Sequence, residues 1–463
     1  MLESPAFPPG DGRDARPSIH EPKAEYLSIL QAKQILRLRS FGSPQDDPFQ
    51  TDGAVPALLP EAYGEGIENS KNVCPRRIYL NLQSLFPGFM NRREFALLMA
   101  GTAAATLVPS VSLADESATE PAASPAAAEL YARALVLDAN CAPPLEDKLP
   151  LPQSDLDLAR NSGVNVLKVT LGGINADFAA TVSDIAFIQQ LIEVHPAYFM
   201  QVRVPADIES AKHENKLGII FSFESADMLG DKLDNFETFR NLGVRVMQFS
   251  YNKKSPFGAG VMAPDGGGLT PLGRQAADAM NKLGIAIDIS HANAATTADA
   301  IAVSTKPVIM THAGCTAIHA HPRNKTDQQL KVLADKGGVV GIYDLPYLAA
   351  SPKQPTVDDY IAHVEHALKV AGEDHVGVGS DASLEPFDTS LKGIADFNKS
   401  EEMRQKSGLA APEEDRPTYV IGLNIPRRIE VIADQLLKRG YSARVTEKVI
   451  GGNFVRVFRE TWT

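Results

Sequence analysis

Cysteine is scarce. The 463 residues hold three, Cys74, Cys141 and Cys315. So few and so scattered, they exclude a disulfide framework and a cysteine-based zinc knuckle. Basic charge is also in short supply. Lys and Arg number 45 against 57 Asp and Glu, a net charge of −12 at pH 7. That balance argues against a nucleic-acid surface and against a polybasic membrane patch. There is no run of 18 or more apolar residues, so no permanent membrane span is expected. What is present is ordinary globular material, 44% hydrophobic and 22% charged. The length allows two or three average domains, or one large α/β barrel.

Residues 1–89 are rich in Pro, Gly and charge (SPAFPPGDGRDARP, SPQDDPFQTDG) and carry no sustained period. They are expected to be disordered or not translated, rather than a domain. Residues 90–114 suggest why. MNRREFALLMAGTAAATLVPSVSLA opens on Arg92-Arg93 and Phe95, continues through small apolar residues from Ala96 to Val108, and closes on Ser112-Leu113-Ala114. This resembles a twin-arginine export signal, which sends folded proteins across the bacterial inner membrane. The expectation is translation from Met90, cleavage after Ala114, and a periplasmic or secreted product, with the twin-arginine machinery as a partner. No cysteine follows the apolar run, which argues against a lipoprotein anchor. An Ala/Pro/Ser/Glu-rich linker, 115–128, leads to a barrel domain at 129–463.

Eight strand-like runs follow: 134–140, 164–172, 217–225, 244–252, 285–291, 306–312, 338–346 and 375–383. Most gaps carry helical periodicity, as in FAATVSDIAFIQQLIEVH and VDDYIAHVEHALKVAG. Eight strands alternating with helices predict a (β/α)8 barrel of TIM type. Residues 385–424 read as a polar, Pro-containing insertion, followed by two closing helices.

In this fold the reactive groups come from strand C-termini. Those positions hold Asp138, Asn140, Glu224, Tyr251, His291, His312 and Asp381. Two imidazoles and a carboxylate, His291, His312 and Glu224, suit a divalent, zinc-like ion with a position left for water. Asp381 is a further ligand or a general base. His363 and His366 share a helix of the outer ring and read as packing or surface. Cys141 and Cys315 read as small buried thiols.

Several separated blocks carry a resemblance. FESAD around Glu224, GLTPLGRQAADAMNKLGIAIDISHA, PVIMTHAGCTAIHAHPRN, HVGVGSD and GGNFVRVFRE resemble the membrane (renal) dipeptidase family of zinc metallopeptidases, from about residue 133 to 463. The resemblance implies that Glu224 bridges two ions, that His291 and His312 complete one shell, and that Asp381 serves as base. It also implies that Arg323 receives a substrate carboxylate, for which a planar fork is suited. His319 and His321, in the same loop, are left open as substrate contacts.

Three site positions depart from the family. Its first strand ends in Asp-Gly-His-Asn-Asp, and here Asp138-Ala139-Asn140-Cys141-Ala142 stands instead. Asn140 and Ala142 replace two ligands of the second ion, so about one tightly bound ion per chain is expected. Tyr251 replaces a histidine thought to polarise the scissile carbonyl, and a phenol can still donate a hydrogen bond there. Two readings follow. One is an exported metallo-dipeptidase-like hydrolase acting on small peptides with a free C-terminal carboxylate, a D-residue being admitted there. The other is a non-catalytic barrel in the periplasm that binds metal or peptide. A second copy of the chain is kept open as a partner.

Overall fold

Short apolar, β-branched runs bounded by turns each give one strand here. In this computed structural model, residues 123–146 and 148–463 are described. The expectations for 1–89, for the export signal at 90–114 and for the linker up to 122 lie outside the described residues. The strands are β1 (Leu137–Asp138), β2 (Cys141–Ala142), β3 (Val166–Thr170), β4 (Phe199–Gln201), β5 (Leu217–Phe223), β6 (Val244–Gln248), β7 (Ala286–Asp288), β8 (Ile309–Ala313), β9 (Val339–Ile342), β10 (Val376–Val378) and β11 (Ala382–Ser383). Hydrogen-bonded neighbours run β1-β3-β5-β6-β7-β8-β9-β10, all parallel, with helices between them. This is the expected (β/α)8 barrel.

The seam between first and last strands is closed by single contacts. Ala139 N–H donates to Val378 O at 3.0 Å, and Asp381 N–H to Asn140 O at 2.7 Å. Asp138 Oδ1 accepts from Ser380 N–H at 2.9 Å. Beyond them β2 and β11 pair, Cys141 with Ala382 and Ala142 with Ser383. That pairing and β4, which adds to β5, are too short to stand out in the sequence.

Alternation divides the strand residues between two apolar layers. Leu167, Val169, Phe221, Met247 and Ile287 pack outward against the helices. Leu137, Val166, Ile220, Val246, Ala286 and Ile309 line the bore, together with Phe454, Phe458 and Trp462 of the C-terminal helix Asn453–Thr461 and its cap. Helix starts are locally encoded. Asn293 caps Ala294–Val303 through Thr296 N–H, and Thr326 with Gln329 forms a capping box on Asp327–Asp335.

Three boundaries differ from expectation. The first helix, Pro125–Arg133, begins inside the stretch read as linker, with Ser124 as its cap. The insertion contains a 17-residue helix, Leu391–Ser407. Its buried positions are Phe397, Glu401 and Arg404, and two charged residues on the inner face hide the amphipathic period. The chain also closes with three helices rather than two: Arg428–Lys438, Ala443–Glu447 and Asn453–Thr461. Among the described residues, no helix is long and apolar enough to cross a membrane.

Candidate metal centre and substrate pocket

The strand ends deliver the expected groups to one mouth. Glu224 follows β5 directly, His291 lies three residues past β7, and His312 is inside β8. All three are buried, and one donor atom from each lies within 4.8 Å of the others. His291 Nε2 and His312 Nε2 are 2.9 Å apart, and Glu224 Oε2 is 3.6 Å from His291 Nε2. This donor set suits one divalent ion of the zinc type, with a further position open.

The surroundings fix the lone pairs. Asn252 Nδ2 donates to Leu409 O at 3.0 Å, so its Oδ1 faces His291 Nδ1 at 2.8 Å. His291 Nδ1–H must then be the donor, which leaves Nε2 free to ligate. Thr311 Oγ1 donates to Asp288 Oδ2 at 2.6 Å and lies 2.9 Å from His312 Nδ1. His312 is thereby oriented in the same way. Burial, reinforced by Arg323 and Lys168, pushes both imidazoles well below their ordinary values, against the charge of Glu224 at His312. Neutral imidazole is the ligating form. Burial opposes the charge on Glu224, but His312, Lys168, Thr170 and Asn140 together bring its carboxyl below the usual value.

Asp381 stands beside this group. Its Oδ2 is 3.9 Å from His312 Nε2, and its backbone is left-handed at φ 56°. Asp tolerates that region at a cost usually kept for functional positions. Burial and the charge of Glu224 push its carboxyl well up, against Arg323 and Lys168. A cation at the three-donor group would draw it down again. Asn140 Nδ2 donates to Asp381 Oδ1 at 2.7 Å and lies 3.1 Å from His312 Nδ1. Ala142 is held in the β2–β11 pair, with no donor to offer.

Tyr251 stacks on His291, ring centroids 4.0 Å apart. Burial, against the charge of Arg404, pushes its hydroxyl up to about 12, so it keeps its proton. Arg323 is buried, and its Nη1 donates to Ser290 O at 2.7 Å. Its Nη2 has no hydrogen-bond partner among the described residues. His319 and His321 turn to the insertion instead, meeting Glu413 and Pro412 O. His363 is a buried spacer between Cys315 N–H and Leu348 O, and His366 pairs with Asp327. Cys141 and Cys315 are buried free thiols.

Four further residues complete the site. Lys168 and Thr170 project from β3 toward Glu224. Asn252 orients His291, and Arg404 Nη2 reaches Tyr251 OH at 3.4 Å from the insertion helix. Lys168 did leave a signal, a charge within the apolar run VLKVT. Arg404 left none.

Fold and side chains thus define a class, a (β/α)8 barrel with a candidate hydrolase-type metal centre at its C-terminal mouth. The chain belongs to the membrane dipeptidase family (peptidase family M19), whose model matches residues 126–406. Dipeptidase tcpJ of Claviceps purpurea is 28% identical over 289 residues, 62% of this chain and 61% of the relative. The chain thus spans about three fifths of that relative's length. A crystal structure of an amidohydrolase from Pseudomonas aeruginosa is similar at TM-score 0.64 and 31% identity, covering 73% of this chain and 99% of that one. A metallopeptidase from Rhodobacter sphaeroides, liganded with a phosphinate mimic of the dipeptide L-Ala-D-Ala, shares the fold. Its TM-score is 0.57 at 19% identity, covering 71% of this chain and 99% of that one.

Proposed function

We propose that the chain hydrolyses the amide bond of small peptides with a free C-terminal carboxylate, at one zinc-like ion held by Glu224, His291 and His312. The observation that carries this reading is the Nη2 of buried Arg323, which has no hydrogen-bond partner among the described residues and is anchored beside His291 through Ser290. A buried guanidinium left half-satisfied is costly unless an acceptor arrives, and a carboxylate fits its fork. An ion at the three donors supplies Lewis-acid chemistry, polarising a carbonyl and acidifying water. Tyr251, protonated and against His291, donates to the carbonyl oxygen. Asp381 takes up the proton released by water. A D-residue at the carboxylate end belongs to the proposal, supported by the L-Ala-D-Ala mimic held by the Rhodobacter sphaeroides structure. Export by the twin-arginine route also belongs to it, on the strength of Arg92-Arg93 and Ser112-Leu113-Ala114.

The test compares dipeptides with their C-terminal amides, in the wild type and in Arg323→Ala. Losing a charge-assisted contact costs about 1.5–3 kcal/mol. The variant should therefore lose about ten- to hundredfold in kcat/KM on dipeptides and little on amides. Equal losses on both would remove Arg323 from the substrate site. A wild type that holds its ion but turns over no dipeptide of either configuration favours the non-catalytic barrel.

A further inference from the structure

The two oxygens of Glu224 have different surroundings. Oε2 faces His291 at 3.6 Å. Oε1 accepts from Thr170 Oγ1 at 2.6 Å and lies 3.8 Å from Lys168 Nζ. Lys168 has no exposed side chain at all. Its strand pairs with β5 so that Lys168 sits beside Ile220 and Thr170 beside Ser222, which puts these side chains on the bore face with Glu224.

The Lys168 Nζ is held by two hydroxyls and faces a carboxylate. Ser222 Oγ donates to Val169 O at 2.8 Å and so receives Lys168 at 3.0 Å. Thr170 Oγ1 gives its own proton to Glu224 and receives Lys168 at 3.4 Å. The third direction is Glu224 itself. Two hydroxyl acceptors and a facing carboxylate at 3.8 Å surround the Lys168 amine, the pairing that a buried lysine requires.

We infer that Lys168 is a built-in cation that takes the place of a second metal ion beside Glu224 and keeps the centre to one ion. The inference rests on the reading of Glu224, His291 and His312 as ligands of that single ion. A second ion would need the Oε1 side of Glu224, where it would meet the ammonium at close range. Its remaining oxygen, on Asp381, already receives the amide hydrogen of Asn140. No imidazole is left for it, since both nearby rings belong to the three-donor group. Lysine and asparagine thus supply through hydrogens what a second ion would supply through coordination.

The test is ion stoichiometry, read by elemental analysis of the full chain after equilibration with excess zinc and gel filtration. The wild type should hold one zinc. Asn140→His with Ala142→Asp, which adds donors but keeps Lys168, should stay at one. Adding Lys168→Met to that pair should bring the count to two, whereas adding Lys168→Arg should leave it at one. Two ions in the wild type, or in the double variant that keeps lysine, would overturn the inference. So would a folded Lys168→Met triple variant that stays at one. Should that triple variant fail to fold, the wild type and the double variant still decide. A wild type with no ion strikes the single-ion reading itself, and its count of zero distinguishes that failure.

Discussion

Asn252 has one task, legible atom by atom. Its amide nitrogen is committed to Leu409 O, so its oxygen must accept from His291 Nδ1. Asn252→Ala removes that acceptor and leaves the ring free to turn or change tautomer. Groups of this kind usually alter metal affinity about 10–100-fold. The variant should therefore yield zinc to a chelator at about 10–100-fold lower chelator concentration, with an unchanged circular dichroism spectrum. Unchanged competition would show that Tyr251 stacking alone orients the ring. The candidate ligands themselves could be read from the chain because strand ends concentrate chemistry, and Glu224, His291 and His312 lie at or near such ends. Lys168 and Asn252 could not be assigned roles in that way. Their importance depends on which neighbour each side chain meets across the bore, which spacing along one strand does not encode.

At the scale of elements, the insertion helix Leu391–Ser407 is the part that sequence concealed and the part with the oddest interior. Glu401 is fully buried, and neither carboxyl oxygen has a hydrogen-bond partner among the described residues. Arg404 Nε lies 3.8 Å away, while that guanidinium bonds Glu414 at 3.1 Å. Burial, then the charge of Glu414, pushes the Glu401 carboxyl up to about 9, against Arg404. Unfolded, it would ionise near 4.5. Between those pH values folding takes up a proton, so stability falls as pH rises across the window. Glu401→Gln removes that dependence. It should raise the melting temperature at pH 8, by about 1 kcal/mol or more in stability, and change little at pH 4. An equal effect at both pH values would mean that Glu401 ionises normally in the fold. The same helix carries Arg404 to Tyr251, and the segment after it carries Leu409 to Asn252. What reads as a polar interruption of the barrel therefore holds the roof of the site in place.

For the whole molecule, the order of eight strands was plain in the sequence, because each is an apolar run between turns. How the ring shuts was not. Closure depends on single hydrogen bonds and on the small β2–β11 pair, which no period announces. Export by the twin-arginine route, as proposed from Arg92-Arg93, would carry the chain already folded. Changing Arg92→Lys together with Arg93→Lys should retain the chain in the cytoplasm, as fractionation would reveal. A mature exported product that still carries residues 1–89 would contradict translation from Met90.

The seam also has a consequence in time. Asn140 and Asp381 meet across it although 241 positions separate them along the chain. A ribosome adds residues from one end, so a growing polypeptide holds Asn140 and Glu224 long before Asp381 exists. The pocket is therefore complete only after the last strand has left the exit tunnel. On the proposed reading, uptake of an ion waits for the folded barrel that brings Glu224, His291 and His312 together. Where the chain finishes folding before it crosses a membrane, the metals on offer are those of the compartment that made it, whatever abounds where it finally acts.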